Sequence, residues 1–171
     1  MKSIDILGKR NIDKINKVKN PVRRCIDKWK VDDVYFAHNK QVEIVNSLYV
    51  NQPHEYEKIV KREVEKKIGG YKSQDIRNNI LDLNRLISLD QVLEKLVVSK
   101  MKCCYCKDNC DILYKDVLYK KQWTLDRIDN DYGHNNNNVV ICCYECNVKR
   151  GDMDYERFKQ GKSIKFIRKQ E

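Results

Sequence analysis

Two pairs of cysteines are spaced to grip one metal ion. Cys103 and Cys106 lie in KCCYC, and Cys143 and Cys146 lie in ICCYECN. A C-x-x-C turn presents two sulfurs to a single ion, and two such knuckles this far apart are the pattern of a structural four-cysteine zinc site. Cys104 and Cys142 are immediate neighbours of the knuckles, Cys110 follows four residues after Cys106, and Cys25 stands far upstream. Cys25 reads as a small buried hydrophobe, while Cys104, Cys110 and Cys142 read either as such or as alternatives in the register of the ligands. Between the knuckles runs WTLDRIDNDYGHNNNNVVI, from Trp123 to Ile141. It contains an acid, Asp126, followed directly by Arg127, then a loop histidine, His134, and the asparagines Asn135 to Asn138. Just past the second knuckle stands Asn147, able to face back toward Asp126 from the start of a helix.

Hydrolysis of a phosphodiester is chemistry that such groups can perform. It needs an activated water, positive charge at the phosphoryl oxygens, and help for the departing 3′ oxygen. A hard divalent cation on Asp126 and the Asn147 carbonyl, Mg²⁺ or Mn²⁺, would suit the last two. Arg127 is always charged and can hold a phosphate by two parallel hydrogen bonds, but makes a poor base. His134 titrates near neutrality and is the preferred general base, with Tyr132 as the alternative in the same loop. Asp129 reads as a structural acid that pairs with a basic neighbour or caps the turn, with assistance to the metal as the alternative. His38 and His54 have no partner pattern and read as surface residues, and Trp123 reads as core beneath the first strand.

The elements that must position these residues follow from periodicity. From Trp123 the pattern is strand, loop, strand, with VVIC as the second strand and a helix from the second knuckle to about Arg150. DILYKDVLYKKQWTLDRID, with its β-branched and aromatic residues, suggests extended structure throughout. Asp154 can cap a last helix, YERFKQ. Upstream, Pro53 opens a helix with Tyr56, Ile59, Val60, Val64 and Ile68 on one side, ended by Gly69 and Gly70. Ser73 then caps a helix to about Ile87 with Ile76, Ile80, Leu83 and Leu86 as its apolar stripe. Ser88 and Gln91 form a capping box before VLEKLVV. Val42, Ile44, Val45, Leu48 and Tyr49 suggest a buried face in an otherwise ambiguous stretch over 31–50. Loose helical spacing marks residues 1–20, and Pro21 can start a short helix through Trp29.

The chain has 171 residues, 35% of them charged, a formal net charge of +10 and a pI of about 9.1. Residues 1–30 hold ten Lys or Arg against three Asp, so this arm carries seven of those net charges. Such an arm suits phosphate binding, and nucleic acid is the commonest polyanionic partner. Lys149 and Arg150, with Lys162, Lys165, Arg168 and Lys169, could line its path or equally form a solvated face. No apolar run has the form of a signal peptide or a membrane span. The expectation is an intracellular, reducing compartment, cytoplasm or nucleoid or nucleus, where paired knuckles mean metal rather than disulfides.

Residues 101–160 resemble the HNH endonucleases. The resemblance rests on C-x-x-C, LDRIDN, GH, NVV, C-x-x-C-N and a trailing D-M-x-x-E-x-F. It implies an α+β fold: a helical N-terminal region followed by a zinc-clamped ββα-metal motif. Asp126 matches the family's metal-binding acid, Asn138 the central asparagine that ties the loop, and Asn147 the second metal ligand on the helix. Arg127 departs from the pattern, because the family's general base, a histidine, usually stands there. The implied organisation is a basic, helical arm over 1–50, a helical region over 51–100 packing on the nuclease core, and the HNH domain over 101–171. The implied function is a metal-dependent endonuclease acting on double-stranded DNA, with structural zinc and catalytic Mg²⁺ or Mn²⁺. The alternative is a zinc-stabilised DNA-binding protein of the same fold that has lost catalysis, and Arg127 is the residue that keeps it open.

Overall fold

Apolar residues three and four apart wind the first half of the described chain into helices. The computed structural model describes Ile12 and residues 29–164. The helices expected over residues 1–20 and from Pro21, and the residues Cys25, Lys165, Arg168 and Lys169, lie outside that range. The ambiguous stretch resolves as a 3-10 turn, Asp33–Phe36, and helix α1, His38–Tyr49. Helix α1 buries Ile44, Val45 and Leu48, while Tyr49 stays exposed. It also buries Gln41, at a cost that hydrogen bonding offsets. The Gln41 amide donates to the carbonyls of Phe36 and Leu113 and accepts from the amides of Ile112 and Leu113.

Helix α2, Glu57–Arg77, corrects two sequence expectations. It runs through Gly69 and Gly70 instead of ending there, and no second helix starts at Ser73. Each mid-helix glycine costs about 1 kcal/mol against alanine. Packing of Val60 and Val64 into the core, with Ile68 and Tyr71 against it, holds the helix together across them. The Ser73 hydroxyl donates back to the Gly69 carbonyl rather than capping anything. The helix stops at Asn78, and the next residue, Asn79, adopts φ 57°, a left-handed turn conformation that asparagine tolerates. Ile76 and Leu83, expected on a buried stripe, are therefore exposed.

Helix α3, Leu89–Val98, begins with the expected capping box. The Ser88 hydroxyl accepts from the Gln91 amide, and the Gln91 side chain accepts from the Ser88 amide. Val92, Leu93 and Leu96 are buried on one face, and the chain then leads directly to Cys103.

The remaining frame is a hairpin and two short helices. Strand β1, Trp123–Arg127, pairs antiparallel with β2, Val139–Cys143, in the register Trp123 with Cys143 through Arg127 with Val139. Extended structure does not reach back to Asp111 as expected, and only an isolated bridge joins Asp111 to Gln122. Helix α4, Tyr144–Arg150, follows β2 without a break and ends at Gly151, whose φ of 51° favours glycine. Helix α5, Tyr155–Ser163, is capped by the Asp154 side chain, which accepts from the Arg157 amide. A two-stranded hairpin is marginal by itself in water. Here it is sealed into a single apolar cluster that runs from Trp29 through all three early helices to Phe158, with Trp123 fully buried. The fold is α+β, with helices preceding and following a two-stranded sheet. No helix among the described residues is long and apolar enough to cross a membrane.

Candidate metal centre and adjoining cavity

Hydrogen bonding of the first knuckle onto itself shapes its turn. The Cys103 amide donates to the Asp108 carbonyl, and the Lys107 amide donates to the Cys103 carbonyl. The second knuckle straddles the end of β2 and the first turn of α4. The Sγ atoms of Cys103, Cys106, Cys143 and Cys146 all lie within 4.8 Å of one another, and those of Cys106 and Cys143 are 3.8 Å apart. Tetrahedral coordination at a Zn–S distance of about 2.3 Å sets neighbouring sulfurs about 3.8 Å apart. The donor set therefore fits a metal ion such as zinc. Hydrogen bonds from the Cys104, Cys110 and Cys143 thiols pull the Cys103 thiol far below its ordinary range. Cys142 instead packs beneath the sheet beside the Thr124 hydroxyl, and burial pushes its thiol up.

Beside this cluster, β1, the loop over 128–138 and α4 enclose a cavity of about 210 Å³. Asp126, Arg127, His134 and Asn147 all line it, with Tyr71 and Gln74 of α2 on the far wall. Asp126 is buried, and burial raises its carboxyl above the usual carboxylate range, against the opposing pull of Tyr105 and Arg150. The Tyr105 hydroxyl donates to its Oδ2 at 2.6 Å, and Arg150 Nη1 donates to its Oδ1 at 2.7 Å. Tyr105 sits inside the first knuckle, so the thiol cluster and the cavity share a direct contact.

Arg150 had been expected on the nucleic-acid path. It is 3% exposed and also donates to the carbonyls of Arg127 and Ile128. That role is corrected: Nη1 and Nη2 are spent inside the protein, joining α4 to the end of β1, while Nε is buried without a partner among the described residues. Lys149 is exposed and pairs with Glu145 at 2.9 Å, leaving it on the surface.

Asn147 uses its amide nitrogen on the Thr124 hydroxyl and the Leu125 carbonyl, each at 3.1 Å. Its Oδ1 has no partner among the described residues. Asn138 ties the loop as a buried bracket, donating to the carbonyls of Asp129, Tyr132 and Gly133 and accepting from the Asp129 amide. Asp129 caps the turn by accepting from the Asp131 amide. Arg127 Nη1 donates to the carbonyls of Asn130 and Tyr132, which folds its side chain along the loop.

His134 is not an ordinary loop residue. It is 3% exposed, and its Nδ1 lies 2.7 Å from Asp75 Oδ1 while its backbone amide donates to Asp75 Oδ2, also at 2.7 Å. The Tyr71 ring stacks on it at 4.4 Å. Burial lowers the imidazole below its ordinary range, and Asp75 opposes that shift. Neither Asp75 nor Tyr71 was singled out in the sequence. The available signal was their spacing: Lys67, Tyr71 and Asp75 fall four apart on one face of α2. Each grips the hairpin or its loop, Lys67 through the Trp123 carbonyl, Tyr71 by accepting from the Leu125 amide, and Asp75 through His134.

The two other histidines also have partners. His38 Nδ1 lies 2.8 Å from Asp111 Oδ1, and the His54 ring accepts from the Tyr56 amide. No protein-family model, no curated protein and no solved structure matches the chain.

Proposed function

We propose that the chain is a metal-dependent DNA endonuclease of the HNH type, hydrolysing phosphodiester bonds, with a zinc ion clamped by Cys103, Cys106, Cys143 and Cys146. The observation that carries the reading is the convergence of Asp126, Arg127, His134 and Asn147 on one small polar cavity. The residues present fit a hard cation in donor chemistry. Asn147 Oδ1 has no partner among the described residues, and each Asp126 oxygen holds one donor but can accept a second. Two oxygen ligands leave positions open for water and phosphate, as Mg²⁺ and Mn²⁺ require. When bound, such an ion supplies positive charge to the phosphoryl oxygen and to the departing 3′ oxygen.

The chain's own groups account for the rest. His134 is held by Nδ1, so its Nε2 takes the proton of the attacking water. The resulting hydroxide forms the new P–O bond as the P–O3′ bond breaks, leaving a 5′ phosphate and a 3′ oxyanion that takes its proton from solvent water. Arg127 borders the same cavity and adds positive charge as it builds on the phosphoryl oxygens. Burial favours neutral His134, the form a base needs.

One observation favours the alternative, a zinc-stabilised DNA-binding protein without catalysis. Arg150 already neutralises Asp126 from inside the protein, at 2.7 Å. Incubation of the purified protein with supercoiled plasmid separates the two readings. The nuclease reading expects nicked or linear product with Mg²⁺ or Mn²⁺. Intact DNA binding with no product in either ion supports the binding module instead.

A further inference from the structure

Among the described residues, Asp75 is the carboxylate with the least exposure. It is fully buried on α2, and its only ion-pair partner among the described residues is His134. An ionised carboxylate placed in the interior costs several kcal/mol unless it is well paired, and an apolar side chain of similar size would usually stabilise a helix face better. The site is nonetheless built around it. Both oxygens are committed to the same residue, one to the His134 amide and one to its ring. Gly133 makes that approach feasible. A Cβ there would lie 2.8 Å from Asp75 Oδ2 and 2.7 Å from the Ile80 carbonyl, closer than such atoms come. Tyr71, one turn earlier on α2, covers the imidazole face with planes 23° apart and anchors its hydroxyl on β1.

Resting on the nuclease reading, we infer that Asp75 is the positioning residue of the cavity, holding His134 in the Nδ1–H tautomer with Nε2 left to act on water. An ionised carboxylate only accepts hydrogen bonds, so the ring nitrogen facing it carries the proton. Nε2 has no partner among the described residues. The carboxylate also stabilises the imidazolium formed when Nε2 takes the proton from water. That is the logic by which an orienting acid serves a histidine base in hydrolytic sites. The groups facing His134 are Asp75 and Tyr71 from α2 and Asp126 and Arg127 from β1, so removing Asp75 leaves only the more distant Asp126 favouring the charged ring.

The test compares full-length, zinc-loaded wild type with Asp75→Asn, using His38→Ala as a control for loss of a histidine–aspartate pair outside the cavity. Asp75→Asn is expected to lower kcat for plasmid cleavage by at least about 10-fold, and by up to about 10⁴-fold, the loss when the aspartate orienting a histidine base becomes asparagine. KM and zinc content should hold, and the acid limb of the pH–kcat profile should move to lower pH. His38→Ala should cleave as wild type does. Unchanged kcat and an unmoved acid limb in Asp75→Asn would reduce Asp75 to a fold tie and overturn the inference. Should that variant not fold, nitrogen-15 NMR of wild-type His134 decides. A protonated Nδ1 with bare Nε2 supports the inference, and the opposite tautomer overturns it. A wild type that binds DNA without cutting it overturns the nuclease reading, and the NMR arm then still reports whether Asp75 sets the tautomer.

Discussion

The two ends of the hairpin are secured by opposite means. Where Trp123 pairs with Cys143, four thiols converge, and the ligands come as two local turns. The pair at the other end, Arg127 with Val139, and the loop it closes contribute none of those four thiols. The loop is fixed by the Asn138 side chain and by Asp75, which lies 59 positions before His134. At the first end an ion can substitute for apolar core in a small domain. At the second, the fixing groups must leave one face of a cavity open, so hydrogen bonds and a stacked ring do the holding. Tyr105 and Arg150 join the two ends through the two oxygens of Asp126.

Removing a thiol should expose the contrast most strongly. Structural zinc contributes about 10–16 kcal/mol in small metal domains, as much as or more than the total stability of most folds. Cys143→Ser is expected to lose the ion by elemental analysis and to abolish the cooperative thermal transition. A variant that keeps a sharp transition would mean that the apolar cluster holds the hairpin without metal. At the other end, His134→Ala should leave zinc content and DNA affinity intact while cleavage drops about 10²- to 10⁴-fold. Full activity in this variant would move the base to Tyr132 or elsewhere.

Asn138→Ala should be intermediate, because it orphans several partly buried backbone groups of the loop at once. A loss of about 1–3 kcal/mol in chemical denaturation, with zinc retained, is expected. Acid titration gives a smaller effect with a definite sign. Burial holds folded His134 below its ordinary value of about 6.5, so the unfolded chain binds the proton first. Its stabilising contribution is complete above that value and is lost as pH falls through the folded value. The stability gap between wild type and His134→Ala should therefore narrow below about pH 6.5. A gap that widens there would contradict the assignment. Least of all, Lys149→Ala should leave the melting temperature unchanged and reduce the salt dependence of DNA binding by about 0.9 in slope if that lysine meets a phosphate.

The legibility of the molecule divides along the same line. The knuckles, the capping box at Ser88 and the order strand, loop, strand, helix all rest on near neighbours, and the residue pattern displays them, whereas the bracket of Asn138 came only from the family resemblance. The continuity of α2 did not show, because two glycines signal a stop locally while burial of Val60, Val64 and Asp75 along the helix decides otherwise. Nor did the partner of His134. A lone aspartate in YKSQDIR looks like any surface acid until the helix is laid against the loop, and only its spacing from Lys67 and Tyr71 marks its face. Arg150 misled for a similar reason. A basic residue after the motif suggests phosphate, yet Asp126 sits within reach across the first turns of α4.

The central claim is that this cavity hydrolyses DNA with His134 as its base. Supercoiled plasmid incubated with wild type and with His134→Ala, in Mg²⁺ and in Mn²⁺, tests it most directly. The account expects ion-dependent nicking by wild type, abolished by chelating the added ion and absent from the variant despite equal DNA binding. Plasmid left supercoiled by wild type in both ions, with binding intact, would contradict it.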